Sequence, residues 1–225
     1  MFREIVNNLL ESLSFLIVVL VFLFKYKDWA FIREMKILFI YFVLALINTG
    51  FATWLAFLNK PNAFWYNANG FCSLACLAFF FYCLSIDLYH KKIIFWGGII
   101  GLSLFLYILY WDNNIAFFSP GYAIGSLLII FFCLLYLKEE LTKKMNFNND
   151  RTIWIVCSLL SYYLCSFLIH VSYKYLTNNF LSGSLTHTFF IPGNIWGIHN
   201  VILFLSCIGV SLNVLKQKEN KIYSK

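Results

Sequence analysis

Residues 37–59, ILFIYFVLALINTGFATWLAFLN, contain no charged side chain and are bounded by Lys36 and Lys60. A helix needs about 20 predominantly apolar residues to cross the hydrocarbon core of a membrane. Two uncharged runs elsewhere, 61–86 and 175–215, are longer still. Lipid offers the backbone no hydrogen-bond partner, and a barrel would show short alternating segments. These continuous runs therefore predict membrane-spanning helices.

The rest of the chain has the same character. Hydrophobic residues make up 61% of the 225 residues and charged residues only 12%, which excludes a soluble domain of this size. We predict an all-α polytopic membrane protein, a single domain over residues 1–225. Its bundle of seven transmembrane helices is expected at 6–24, 37–58, 70–87, 93–111, 119–137, 152–174 and 194–215.

Lysine and arginine are concentrated on alternate loops. The first, third and fifth loops and the C-terminal tail carry 14 of the 17 basic residues: Lys25, Lys27, Arg33, Lys36, Lys91, Lys92, Lys138, Lys143, Lys144, Arg151, Lys216, Lys218, Lys221 and Lys225. The opposite set carries only Arg3, Lys60 and Lys174. The positive-inside rule then predicts an N-terminus outside and a cytoplasmic C-terminus. The net charge of +7 is interpreted as this orientation signal, with no nucleic acid as partner. Expected partners are the lipid bilayer and a cytoplasmic protein that contacts the basic inner loops, whereas the oligomeric state is left open.

Two loops have distinct predicted roles. The segment 175–193 is too long for a plain turn, and we expect it to dip into the outer interface or to cap the bundle. The polar loop after the fifth helix predicts a hydrophilic extension of that helix, in which Glu139 or Glu140 faces Lys143 or Lys144.

Small residues within the predicted helices indicate close packing. Seven cysteines all fall inside these helices, and we expect reduced thiols with no disulfide framework. Glycine pairs at i, i+4 (Gly97 with Gly101, Gly121 with Gly125, Gly193 with Gly197) permit close helix approach. We interpret them as packing sites within the bundle; dimerisation is the alternative.

Polar residues inside membrane helices are the default candidates for function, because each needs a partner within the bundle. Glu11, His170, His199 and Asn200 lie at similar predicted depths below the outer helix ends and could form one layer. Tyr173 is close enough in height to join them. Asn48 lies deeper.

A carboxylate beside two imidazoles would make a proton-responsive pair, or a site for a small cation or ligand. The alternative leaves Glu11 among the headgroups, while each histidine makes one structural hydrogen bond between helices. Both interpretations stay open. A metal site is disfavoured because the three residues lie on different helices without a tight HxxxH-type pair. No cofactor is predicted.

Comparison with known classes of seven-helix membrane protein excludes some functions. Microbial rhodopsins share the predicted topology, but the seventh stretch here contains no lysine that could link retinal. Seven-helix sugar transporters carry helix-interior prolines, which are missing. The stretches NGFCSLACLAFFFYCLSI (69–86) and IWGIHNVILFLSCIGVSLNVL (195–215), the latter followed by a lysine-rich tail, resemble those of small seven-helix proteins of Bacteroidota-type bacteria. That resemblance implies a bacterial inner-membrane, multi-pass protein, sensory or regulatory in role.

Three classes of function follow from these observations. The first is a receptor-like or regulatory and sensory membrane protein with a small outer-facing polar cavity. The alternative is a compact transporter or channel for a small solute or protons, which would need polar residues that continue to the cytoplasmic side. An enzyme comes third, because the chain has no HExxH, GxSxG or paired-aspartate arrangement, and no catalytic residue is predicted.

Overall fold

The computed structural model describes residues 2–29, 32–111, 119–142, 151–181 and 192–216. Within these residues the chain forms helices and short turns, with no strand. The helices are α1 (Phe2–Phe24), the four-residue α2 (Tyr26–Trp29), α3 (Arg33–Phe57), α4 (Ala63–Leu84), α5 (Leu88–Trp111), α6 (Ser119–Thr142), α7 (Arg151–Leu181) and α8 (Pro192–Leu215).

The predicted all-α membrane class is confirmed. In the described part of the chain, six helices (α3 to α8) are long and apolar enough to cross a membrane. Helix α1 has a shorter apolar part, Leu9–Phe24. The protein is therefore a multi-pass helical membrane protein, whereas a seventh crossing by α1 stays a prediction.

Six of the long helices form a closed ring. Going round it, α1 packs on α3, α3 on α4, α4 on α6, α6 on α7, α7 on α8, and α8 returns to α1. Helix α5 lies outside the ring and packs mainly on α4 and α6. Its outer face exposes large apolar side chains, among them Trp96, Ile100 and Tyr107, as expected of a surface that faces lipid.

Contacts between neighbouring helices fix which helix ends lie together. At one end, Ser12 of α1 hydrogen-bonds to Thr53 of α3 over 3.2 Å. At the same end, the Ser119 hydroxyl of α6 donates to the carbonyl oxygen of His170 on α7. We call this the histidine end; α1, α4, α6 and α8 begin there. The opposite end, which includes the turn 85–87 and Glu139, is the glutamate end.

Aromatic side chains fill the ring toward the glutamate end. Phe22, Phe42, Phe81 and Phe132 are at most 2% exposed. Their rings form two contacting pairs, with centroids 6.2 Å apart for Phe22 and Phe42 and 6.4 Å apart for Phe81 and Phe132. Close packing of large rings leaves little room for water in this half of the bundle.

The structure corrects the predicted boundaries of the third helix. This helix, α4, starts at Ala63 and ends at Leu84, instead of running from 70 to 87. The turn between α3 and α4 is formed by residues that come earlier than expected. Asn59 has a positive φ of 53°, and the Asn62 side-chain amide donates to the carbonyl oxygen of Ala52 over 3.3 Å. Gly70 therefore lies inside a helix, where it allows the Tyr122 ring to approach the helix backbone closely.

The following helices also differ from their predicted ranges. Helix α5 begins at Leu88 because Asp87 caps it, its Oδ1 accepting the backbone N–H of Tyr89 over 2.8 Å. Helix α7 continues to Leu181, so the predicted loop 175–193 is shorter. Residues 182–191 lie outside the described residues, and a capping role for them stays a prediction.

Glycines on α5 allow it to approach α6 closely. A Cβ added at Gly97 would lie 3.2 Å from the Phe132 ring, and one at Gly101 would lie 2.2 Å from Leu128 Cδ1. This agrees with the packing interpretation of that glycine pair. Gly125 has open space instead, with nothing within 4 Å of an added Cβ.

The basic residues are separated between the two ends. In the described chain, the glutamate end carries Lys25, Lys27, Arg33, Lys36, Lys91, Lys92, Lys138, Arg151 and Lys216, and the histidine end carries Arg3, Lys60 and Lys174. Which end faces the cytoplasm is a prediction that the charge rule makes.

Single cysteines at 60 and 217, treated with an impermeant thiol reagent on intact cells, should react at 60 and stay protected at 217. Reaction at 217 would reverse the orientation.

Candidate functional site

Two buried histidines meet between α7 and α8. The ring centroids of His170 and His199 are 5.4 Å apart and the rings are almost perpendicular. Ser166, one helical turn before His170, lies between them: its Oγ is 3.0 Å from His170 Nδ1 and 3.4 Å from His199 Nε2. His170 Nδ1 is also 2.6 Å from the carbonyl oxygen of Ser166, which can only accept, so Nδ1 carries a proton. Ser166 thus connects the two histidines across α7 and α8.

Aromatic rings hold both imidazoles in place. Tyr122 of α6 stacks on His170 with centroids 4.9 Å apart, and Trp196 of α8 stacks on His199 at the same distance. The Tyr162 hydroxyl lies 3.2 Å from His199 Nε2. Stacked rings resist rotation, so the imidazoles are fixed in orientation.

Helix α8 reaches α1 through Asn200. Asn200 Nδ2 donates to the carbonyl oxygen of Asn7 over 2.8 Å, and Asn200 Oδ1 is 3.3 Å from His199 Nδ1. Asn200 is fully buried. This bond therefore links the histidine pair to the contact that closes the ring of helices.

Glu11 is buried in the same half of the bundle. Its side chain is 4% exposed, and among the described residues its Oε2 has no hydrogen-bond partner. The carboxyl group is close enough to Tyr66, Tyr122 and Tyr162 to interact with them electrostatically. Glu11, His170 and His199 are therefore buried in the same half of the bundle, and a shared ligand-binding or proton-responsive role for them stays a prediction.

A small cavity lies at the centre of the ring, beside the histidine pair. Its volume is about 20 Å³, enough for a water molecule or an ion of that size. The lining combines hydroxyl, amide and aromatic groups from α1, α3, α4, α6 and α7: Phe15, Tyr41, Asn69, Gly70, Ser73, Gly121, Tyr122, Gly125, Ser126, Ile129, Tyr162, Tyr163 and Ser166. Ser166 belongs to both the cavity and the histidine pair.

The residues that line this cavity were not predicted from the sequence. Polar lining residues of one helix lie one helical turn apart, as Asn69 does from Ser73 and Tyr162 does from Ser166. That spacing places two groups on one helix face and was a usable signal. It was hidden because serine and tyrosine occur all along these helices, often with their hydroxyls bonded to their own backbone, as Ser161 is to Cys157.

None of the six predicted site residues is part of the cavity lining. Glu11, His170, His199 and Asn200 are buried in the same half of the bundle, whereas Asn48 and Tyr173 have other surroundings. Asn48 is buried on α3, and its Nδ2 has no hydrogen-bond partner among the described residues. Tyr173 is half-buried near the histidine end, with its ring 5.9 Å from that of Trp196. Neither residue lines the cavity.

Cysteine and metal chemistry give no further site in the described chain. All seven cysteines are free thiols. Among the described residues, no group of three or more histidine, cysteine, aspartate or glutamate side chains could hold a metal ion.

A second polar cluster surrounds Glu139 at the glutamate end. Glu139 Oε1 accepts the backbone N–H groups of Ile86 and Asp87 over 2.8 and 3.0 Å, and Oε2 accepts the Ser85 hydroxyl over 2.8 Å. His90 Nδ1 lies 3.4 Å from the same Oε2. One carboxylate of α6 therefore holds the turn between α4 and α5.

The predicted extension of this helix is present, since α6 continues to Thr142 instead of ending at 137, but its two glutamates do not face water. Both side chains are buried, at 5% and 6% exposure. The backbone of the turn 85–87 supplies donors that a sequence pattern does not reveal. Lys143 and Lys144, their expected partners, lie outside the described residues.

Comparison of the chain with protein-family models, curated proteins and solved structures finds no match. The site must therefore be interpreted from its own chemistry.

Proposed function

We propose that the protein is a receptor-like sensor of the cell inner membrane that crosses it seven times and binds a small polar ligand in the central cavity. The histidine end faces outward in this proposal, and the basic glutamate end contacts the membrane surface or a cytoplasmic protein. The supporting observation is the position of the cavity, which joins the histidine pair but is followed by packed aromatic rings toward the glutamate end.

The arrangement favours binding of a ligand in the cavity over transport of a solute across the membrane. Within the cavity lining, the hydroxyls of Tyr41 and Tyr163 are 3.3 Å apart, and the phenylalanine rings of the core follow toward the glutamate end. A deeper polar contact joins α7 and α8, but there the Ser206 hydroxyl donates to the carbonyl oxygen of Ser158 over 2.7 Å. Because these groups satisfy one another, they give a solute no continuous row of partners.

Helix α6 offers a physical connection between the two ends. It carries Tyr122 against the cavity and Glu139 against the turn 85–87, seventeen residues or roughly 25 Å apart at about 1.5 Å per residue. A ligand that displaced Tyr122 would shift the helix that holds this turn. The adjacent Lys91 and Lys92 would then present a changed surface to a cytoplasmic partner.

Cysteine accessibility tests this function without a known ligand. Ser166→Cys in the cavity should react with a charged methanethiosulfonate reagent added on the histidine side only, as resolved by mass spectrometry of the labelled peptide. A transporter that alternates its access would be labelled at this position from both sides.

Two variants control this measurement. Lys60→Cys, exposed at the histidine end, should react quickly from that side. Ser211→Cys, buried on α8 toward the glutamate end, should react from neither side. Labelling at 166 from both sides, or from neither, contradicts the proposed outward-facing ligand site.

A further inference from the structure

We propose that the cavity ligand is a small uncharged alcohol, of the size of methanol, bound between Asn69 of α4 and the backbone of α6 at Gly125. This inference rests on the proposed function and specifies the class of its ligand. Two independent observations support it. Asn69 has a buried acceptor that lacks a donor, and no side chain of the described chain fills the space beside Gly125. Both residues line the cavity.

The hydrogen bonds around Tyr122 fix the orientation of the Asn69 amide. The Tyr122 hydroxyl donates its hydrogen to the carbonyl oxygen of Tyr66, so it can only accept from the Asn69 side chain. The amide nitrogen therefore makes the bond to Tyr122. Asn69 Oδ1, the other end of the group, is buried and has no hydrogen-bond partner among the described residues. A ligand at this position should bring a donor, because a buried acceptor without one is unfavourable.

The space beside Gly125 has room for a methyl group. Gly125 is buried, yet a Cβ added there would meet no atom within 4 Å in the described part of the chain. The apolar side chains of Ile129, one helical turn away, and of Phe15 also line the cavity. Such a lining favours the hydrocarbon end of a ligand. Gly125 thus leaves the cavity open, whereas the sequence predicted a packing role for it.

The cavity lining favours an uncharged ligand. Among the described residues that line it, there is no aspartate, glutamate, lysine, arginine or histidine. An ion placed here would lose its water without gaining an opposite charge. That loss is far more unfavourable than the burial of a neutral hydroxyl group that finds an acceptor. Amines and carboxylic acids, which are ionised at pH 7, are therefore disfavoured.

The volume of the cavity limits the ligand to very few atoms. About 20 Å³ holds one water molecule with some space to spare. Methanol combines the O–H donor that Asn69 lacks with a methyl group that suits the space beside Gly125. Even the most efficient ligands of this size bind no more tightly than about the millimolar range. The site would therefore respond to alcohol at millimolar or higher concentrations.

Saturation-transfer NMR with carbon-13 methanol, recorded on the purified protein in lipid nanodiscs, tests this assignment. We expect saturable transfer from the protein to the methyl group of methanol. Gly125→Ala fills the methyl-sized space without a clash and should raise the apparent Kd at least tenfold. Asn69→Leu, which removes the acceptor at similar size, should do the same. Acetonitrile, a small uncharged probe without a donor, should show no saturable transfer.

Gly50→Ala is the matched control. An added Cβ at Gly50 also meets nothing within 4 Å, but Gly50 does not line the cavity. This variant should bind methanol as the wild type does, and methanol dissolved in the lipid contributes equally to both alanine variants. If Asn69→Leu does not fold, the comparison of Gly125→Ala with Gly50→Ala still decides the question.

The proposal is wrong if saturable transfer is absent from the wild type, equal in Gly125→Ala, equal in a folded Asn69→Leu protein, or equal for acetonitrile. Absence from the wild type would leave water as the occupant of the cavity. If any of these results occurs while the Ser166→Cys protein is labelled from the histidine side only, the receptor-like function stands and the ligand class is wrong. Labelling from both sides would contradict the function itself.

Discussion

Replacing Glu139 by alanine should lower the free energy of unfolding by about 3 kcal/mol. The carboxylate accepts three hydrogen bonds from the turn 85–87, two of them from backbone N–H groups. Alanine would leave the buried Ser85 hydroxyl without this acceptor and release the turn that orients α5. Part of the loss is offset because the exposed Ile86 and Asp87 can bind water. Unfolding by SDS in mixed micelles measures the difference.

Two variants separate this effect from a general disturbance of α6. Leu141→Ala changes an exposed side chain two residues away and should cost well under 1 kcal/mol. Glu139→Gln keeps one carbonyl oxygen and should fall between wild type and alanine. A stability for Glu139→Ala equal to that of Leu141→Ala would mean that the carboxylate does not hold the turn.

Gly70→Ala should also destabilise the protein, by about 2 kcal/mol, and disturb the candidate site. The added Cβ would lie 2.9 Å from two ring atoms of Tyr122. That ring cannot move freely, because its hydroxyl donates to the carbonyl oxygen of Tyr66 and its face stacks on His170. The change should therefore alter the labelling of Ser166→Cys in the cavity as well as lower the stability to SDS.

Gly50→Ala provides the comparison. It also lies inside a ring helix, but an added Cβ there meets nothing within 4 Å. Alanine favours helix formation by up to about 1 kcal/mol over glycine, so this variant should be neutral or slightly stabilising. Equal losses in both variants would place the cost in the helix itself and not in the Tyr122 contact.

The sequence allowed prediction of the helices and of the heights of their polar residues. Uncharged runs predicted the six long apolar helices α3 to α8. Counting residues from helix ends placed Glu11, His170 and His199 in the same half of the bundle. Both results depend only on local composition and the rise per residue. Helix order around the ring could not be predicted in this way, since these helices are apolar on all faces.

Other features depend on contacts between distant residues. The position of α5 outside the ring and the cavity lining at Asn69 and Tyr162 require knowledge of which helices are neighbours. The contacts of Glu139 with the turn 85–87 could not be predicted because its partners include backbone groups some fifty residues earlier in the chain. The role of Gly70, which leaves space for the Tyr122 ring, has no local pattern either.

Closure of the ring through α1 and α8 has a consequence for synthesis in the cell. Helices emerge from the ribosome in order, so α1 waits until α8 is made before Asn200 can bind Asn7. Until then Glu11 lacks the enclosure that α4, α6, α7 and α8 provide. Of the six ring helices, the one that is synthesised first is thus also the one whose polar side is completed last. Where α1 crosses the membrane as predicted, water or another protein must shelter Glu11 from lipid during that interval.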